Sequence, residues 1–112
     1  MDKLERYGQI IRVVLEESAV YYKGTTNPLT IQVNVDEVQQ HYQLVMFGWD
    51  EDDYIYQCLY HIDVYEEKVW IQWNSTDFSI EEELLKLGIP ASDIVLGLKH
   101  PEYHQFTDFA VA

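Results

Sequence analysis

A chain of 112 residues with seven basic and twenty acidic side chains, net charge −13 and 47% apolar residues is one domain's worth of ordinary globular sequence. This excludes a disordered tail, a collagen-like repeat and a low-complexity segment, and without clustered Lys and Arg the chain is not expected to bind nucleic-acid phosphates directly on its own. Its apolar runs fall far short of the roughly 20 residues a membrane span needs, no secretory leader is expected at Met1, and the single Cys58 excludes an internal disulfide and a multi-cysteine zinc site, so a reducing cytoplasm is the expected setting.

Residues 2–22 have the pattern of an amphipathic helix capped by Asp2. Leu4, Tyr7, Ile11, Val14 and Leu15 recur at helical spacing, with Ile10 widening the stripe. Lys3, Arg6, Arg12 and Lys23 balance Asp2, Glu5, Glu16 and Glu17, so this segment is neutral and the whole net charge lies in residues 24–112. Such acidity serves solubility and steers a basic partner. Gly8 inside the helix costs about 1 kcal/mol against Ala; it either permits close approach to another backbone or is simply tolerated. Gly24 is the expected stop, and Thr25-Thr26-Asn27-Pro28 has loop chemistry.

From residue 30 the apolar period changes to two. Residues 30–35, 41–49, 54–65 and 68–74 are expected as four strands of an antiparallel meander. The connections are the polar 36–40, a four-residue acidic turn at 50–53 and a two-residue turn at Glu66-Glu67. These turns pair Tyr65 with Lys68, Asp63 with Trp70, His61 with Gln72, Trp49 with Tyr54 and Val45 with Cys58. One face then shows Val45, Phe47, Cys58, Ile62, Val64, Val69, Ile71 and Trp73, and is expected beneath the helix. The other shows Tyr42, Leu44, Met46, Ile55, Leu59, His61, Asp63, Trp70, Gln72 and Asn74, a mixed patch of the kind that meets a second layer or a partner. A single bulge would exchange the two faces.

Ser79-Ile80-Glu81-Glu82 is a capping box opening a short helix to about Leu87, ended by Gly88 and Pro90. Residues 94–98 are apolar enough to be buried, as strand or as helical turn. The tail closes on Phe106-Thr107-Asp108-Phe109-Ala110-Val111-Ala112 and is expected to dock.

His61 and Asp63 stand two apart on one strand face. They read as half of a general-base pair or as a polar pair satisfied in the sheet, the second being the default. His41, His61, His100 and His104 are the only histidines, and Pro101 interrupts the one pair at helical spacing. No metal site and no cofactor are expected. The acidic turn lacks the ligand pattern of a calcium loop. Cys58 reads as a structural thiol. No Gly-rich phosphate loop or nucleophile elbow occurs. The nine tyrosines and three tryptophans suit a protein–protein interface.

Several fragments, in order and spacing, resemble one family over nearly the whole chain. They are Met1-Asp2-Lys3-Leu4 with Tyr7 and Ile10-Ile11; His41-Tyr42-Gln43-Leu44-Val45 with Gly48-Trp49; His61-Ile62-Asp63-Val64; Val69-Trp70-Ile71-Gln72; Glu83-Leu84 with Leu87-Gly88-Ile89-Pro90; Asp93-Ile94-Val95-Leu96-Gly97; and Tyr103 with Thr107-Asp108-Phe109-Ala110-Val111-Ala112. The chain resembles the XisI family, cyanobacterial fdxN element excision controlling factors. It departs from the pattern after Gln72, where Trp73-Asn74-Ser75-Thr76 replaces a histidine and an acid before the Thr. The resemblance implies control of a developmentally regulated DNA excision, as in heterocyst differentiation, carried out by a separate site-specific recombinase. It also implies a XisH-like protein partner, and it carries no established catalytic residues.

The expectation is therefore a single XisI-like domain over 1–112. Its fold would be α+β, a long N-terminal helix on a four-stranded antiparallel meander, with a short helix near 79–87 and a docked C-terminal segment. It would act without catalysis in the cytoplasm, by contact with a XisH-like partner or as a homodimer. The expected interface is Tyr42, His61, Asp63, Trp70 and Gln72. The alternative is a small enzyme or ligand-binding protein with a His61/Asp63 pocket.

Overall fold

The computed structural model describes residues 2–26 and 28–111. Asn27 of the expected loop, and Met1 and Ala112 at the ends of the resemblance, lie outside the described residues. Helix α1 runs Lys3–Thr25, and the Asp2 carboxylate accepts the Glu5 N–H at 2.8 Å. It passes through Gly24, so that glycine is not the stop. The Thr26 N–H and hydroxyl both donate to the Tyr22 carbonyl, at 2.9 and 2.6 Å, and this satisfies the last turn until Pro28 bars continuation. Tyr7, Ile11, Val14, Leu15 and Ala19 form the buried stripe.

Strands β1 (Thr30–Asp36), β2 (His41–Asp50), β3 (Asp53–Tyr65) and β4 (Lys68–Asn74) form the antiparallel meander. Beyond the expected four, Ile94–Val95 forms β5, parallel to β4 at the edge, so the sheet is five-stranded and mixed. A parallel neighbour needs a crossover. Here it is helix α2 (Ile80–Lys86), and the helix side chain Leu84 and the strand residue Ile94 are both fully buried. Ser79 caps α2 as expected, accepting the Glu82 N–H at 3.3 Å while its hydroxyl donates to the Glu81 carboxylate at 2.5 Å. Ala110 then bridges Val95, with its N–H on the Ile94 carbonyl at 2.8 Å, which docks the C-terminal segment along the same edge.

The β2–β3 turn is tighter than expected, and the β3–β4 turn is as expected. Asp50 pairs with Asp53, leaving a two-residue turn at 51–52 in place of the expected four. Glu66 and Glu67 both have positive φ, 51° and 63°, as a two-residue hairpin demands even without Asn-Gly.

The pairs Trp49–Tyr54, Val45–Cys58, Asp63–Trp70 and Tyr65–Lys68 occur as expected. Two bulges change the rest. Val45 pairs with Cys58 but Leu44 pairs with Tyr60, so Leu59 is an extra residue in β3. His61 pairs with Trp73, not with Gln72, and Ile62 with Ile71, so Gln72 is the extra residue in β4. Because side chains alternate faces, one extra residue exchanges them on one side of the bulge. The layer beneath α1 is consequently Tyr42, Leu44 and Met46 of β2, not Val45 and Phe47. It is completed by Ile31, Tyr60, Ile62, Val64, Val69 and Ile71. Cys58 is half-buried, and Trp73 is half exposed with its indole N–H on the Cys58 carbonyl at 3.1 Å.

Gly8 has its reason in this layer: a Cβ there would fall on the Tyr42 hydroxyl and lie 3.4 Å from its Cζ. From the preceding residue, the Tyr7 hydroxyl donates to Asp93, which also pairs with Lys3 at 3.0 Å and so ties α1 to the segment before β5. Burial first, then the hydrogen bond and the charge of Asp93, push the Tyr7 hydroxyl up to about 12. Burial alone would raise Asp93, but the hydrogen bonds from Tyr7 and Lys3 and the Lys3 and Lys68 charges hold its carboxyl below the usual carboxylate range. A tyrosine raised in the folded state gives stability that is complete below about pH 10 and is lost as pH rises towards 12. Tyr7→Phe should cost about 1.5–3 kcal/mol at neutral pH and should flatten the fall in stability above pH 10. Urea unfolding at pH 8, 10 and 11 checks both; an unchanged alkaline slope would contradict the assignment.

Among the described residues no helix is long and apolar enough to cross a membrane.

Candidate functional site

The side of the sheet away from α1 is partly exposed, although Val45 on it is buried. Its strands alternate, so His41, Gln43, Val45, Phe47 and Trp49 of β2 share this face with His61, Asp63 and Tyr65 of β3 and with Trp70 of β4. Asp63 is the centre. Its side chain is only 15% exposed, and Oδ1 meets His41 Nδ1 at 2.8 Å and His61 Nε2 at 3.0 Å. Oδ2 accepts the Gln72 amide at 3.3 Å. His41 lies directly opposite Asp63 in the ladder, and His61 lies two residues along the same strand.

Gln72 is held from the C-terminal side. A Cβ on Gly97 would come within 2.5 Å of Gln72 Oε1 and 3.3 Å of the Ile71 carbonyl, and the Leu98 N–H bonds that carbonyl at 3.1 Å. A side chain at Gly97 would displace the Gln72 amide and crowd the Ile71 carbonyl.

Tyr65 and Trp70 stand beside the polar centre, 6.1 Å apart between ring centroids, and two further aromatic pairs lie along the hairpin towards the β2–β3 turn, Phe47 with Tyr56 at 6.4 Å and Trp49 with Tyr54 at 5.2 Å. Trp49, Tyr56 and Tyr65 are 63%, 70% and 58% exposed. The Trp70 indole N–H donates to the Tyr65 carbonyl at 3.2 Å. Four acids, Asp50 to Asp53, cap the Trp49–Tyr54 end.

Of the five expected interface residues, His61, Asp63, Trp70 and Gln72 come together here. Tyr42 does not. It is 3% exposed beneath α1, and burial raises its hydroxyl pKa. The bulge at Leu59 turned it inward. The same bulge hid His41 from sequence reasoning: run straight back from Trp49–Tyr54, the hairpin sets His41 opposite Ile62, on the wrong face. The extra residue moves it opposite Asp63.

The other candidates resolve as structural. His104 is buried, with Nε2 at 2.9 and 3.1 Å from the Leu96 and Lys99 carbonyls, and it fastens the 3₁₀ turn Pro101–Phe106. His100 caps that turn, its Nδ1 accepting the Glu102 N–H at 3.2 Å. Burial raises the Cys58 thiol, which donates to the Tyr60 carbonyl at 3.3 Å, the opposite of an activated nucleophile. Asn74, at the departure from the family pattern, caps the following loop by accepting the Thr76 N–H at 2.9 Å. On α1, Lys3 pairs with Asp93 and Arg12 with Glu37, so the helix presents no open row of cations to phosphates. Two concavities of about 240 and 680 Å³ lie along α1, away from Asp63.

The family model described as XisI protein matches residues 1–111. The chain belongs to the XisI family. The resemblance read from the sequence is thereby confirmed. A crystal structure of a XisI-like protein from Anabaena variabilis ATCC 29413 is 35% identical, with a TM-score of 0.91 over 97% of this chain and 99% of that one. The fdxN element excision controlling factor XisI from the same organism is 30% identical, with a TM-score of 0.83 over 99% of this chain and 100% of that one. No curated protein matches the chain. These XisI relatives share the α+β fold over essentially their full length.

Proposed function

We propose that this XisI-family protein is a non-catalytic accessory factor in the control of DNA-element excision. It acts in the cytoplasm by contact with a XisH-like partner, and a separate recombinase performs the chemistry. The observation that carries this reading is the sheet face away from α1, where Tyr65 and Trp70 flank a hydrogen-bonded polar centre and exposed Tyr56 and Trp49 continue along the hairpin. Exposed Tyr and Trp side chains are enriched at protein interfaces. A relative named as an excision controlling factor supports the role. The net charge of −13 favours a basic partner surface and makes association salt-sensitive. The enzymatic alternative on His61 and Asp63 is less well supported: among the described residues no hydroxyl or thiol hydrogen-bonds either imidazole.

The test is co-expression with a XisH-like protein, followed by size-exclusion chromatography with light scattering. A complex of defined mass that weakens with salt is the expected result. Separate elution of the two proteins defeats the proposal. If this protein then runs as a dimer, the face is its own homodimer surface.

A further inference from the structure

We propose that His41, His61 and Asp63 form a binding site for a zinc-class divalent transition-metal ion. The ligand atoms of all three lie within 4.8 Å of one another. An ion at about 2.0–2.2 Å from each nitrogen and oxygen sets neighbouring ligand atoms about 3–3.5 Å apart. The two nitrogen-to-Oδ1 distances are 2.8 and 3.0 Å, so small side-chain rotations convert the hydrogen-bonded cluster into a coordinating one. The ion takes the place of the protons that now lie between the imidazoles and the carboxylate.

Two neighbouring strands hold the three residues, so the spacing is set by the ladder and not by a loop. Gln72 binds the far oxygen of Asp63 at 3.3 Å and leaves Oδ1 for the ion, as an outer-shell group does. Gly97 makes room for that glutamine. Two imidazoles and one carboxylate select Zn²⁺, Co²⁺ or Ni²⁺ over Mg²⁺ and Ca²⁺, which need all-oxygen sites. The strongly acidic chain concentrates cations at its surface. His41 is 55% exposed and His61 33%, so the remaining coordination positions open to solvent and accept water or a donor from another molecule. The site does not depend on the proposed accessory role.

The test is calorimetric titration of the full chain, stripped with chelator, with Zn²⁺ alone. A parallel Co²⁺ titration is read by visible absorption. The expected result is one equivalent per chain, weakened at least about tenfold by His41→Ala and by Asp63→Asn, with a loss of about tenfold in Gln72→Ala. Asp52→Asn/Asp53→Asn in the acidic turn should leave binding unchanged, which separates this site from general attraction to surface acids. Circular dichroism confirms that each variant is folded, and His41→Gln serves if His41→Ala is not. Absence of stoichiometric binding, or binding that survives loss of His41 and of Asp63, overturns the proposal and leaves a purely hydrogen-bonded cluster.

Discussion

Tyr42→Ala should lower the unfolding free energy by about 3–5 kcal/mol, the usual cost of removing a buried aromatic ring. In a domain of this size that is a drop in melting temperature of roughly 10–20 °C. The ring is 3% exposed, paired across the ladder with fully buried Ile62, and closed from above by α1 at Gly8. Removing it opens a cavity between helix and sheet that neither rigid layer can fill. Tyr42→Phe keeps the ring and should cost no more than about 1 kcal/mol. Urea unfolding followed by circular dichroism distinguishes the two. The result matters because residue pattern alone sets Tyr42 among the interface residues. Should Tyr42→Ala stay within 1 kcal/mol of the parent yet lose partner binding, the face assignment drawn from the bulge at Leu59 would be wrong.

Trp70→Ala should have the opposite profile. Trp70 sits on the face away from α1, opposite Asp63 in the ladder and edge-on to Tyr65. Loss of a central interface tryptophan costs about 2 kcal/mol or more of binding, roughly a thirtyfold weaker complex. The fold should lose less than in Tyr42→Ala, because Trp70 is only half-buried and the core beneath α1 does not include it. Affinity for the XisH-like partner, measured by calorimetry beside the melting temperature of the free chain, checks both halves. Val38→Ala, in the β1–β2 turn and 90% exposed, is the control that should change neither. Undiminished affinity in Trp70→Ala would move the contact surface elsewhere.

These two residues mark the boundary between local and tertiary information. What depends on neighbours in sequence was legible beforehand. Asp2 and Ser79 cap their helices because each side chain reaches an N–H three residues on. The stripe from Tyr7 to Leu15 is buried because helical spacing puts it on one side. The pairs nearest the two hairpin turns formed as expected because a short loop leaves the first residues beyond it little choice of partner. Gly88, with φ of 108°, stops α2 where only glycine adopts that backbone without strain. The family was legible too, because ordered fragments along the whole chain carry it.

The candidate site was only partly so. His61, Asp63, Trp70 and Gln72 share a face in the expected register, but His41 joins them only through the extra Leu59. A bulge relieves the fit of a whole strand against its neighbour and its helix, so no local pattern announces it. The fifth strand has the same origin: Ile94-Val95 is too short to declare itself, and it becomes a strand because the α2 crossover returns it to the open edge of β4. By itself, then, the sequence determined the helices, the meander, the acidity and the family, all of which rest on contacts close in the chain or on composition. Which residues face the helix and which meet around Asp63 was decided by the tertiary structure, because a one-residue shift costs little locally but exchanges the two faces of a strand.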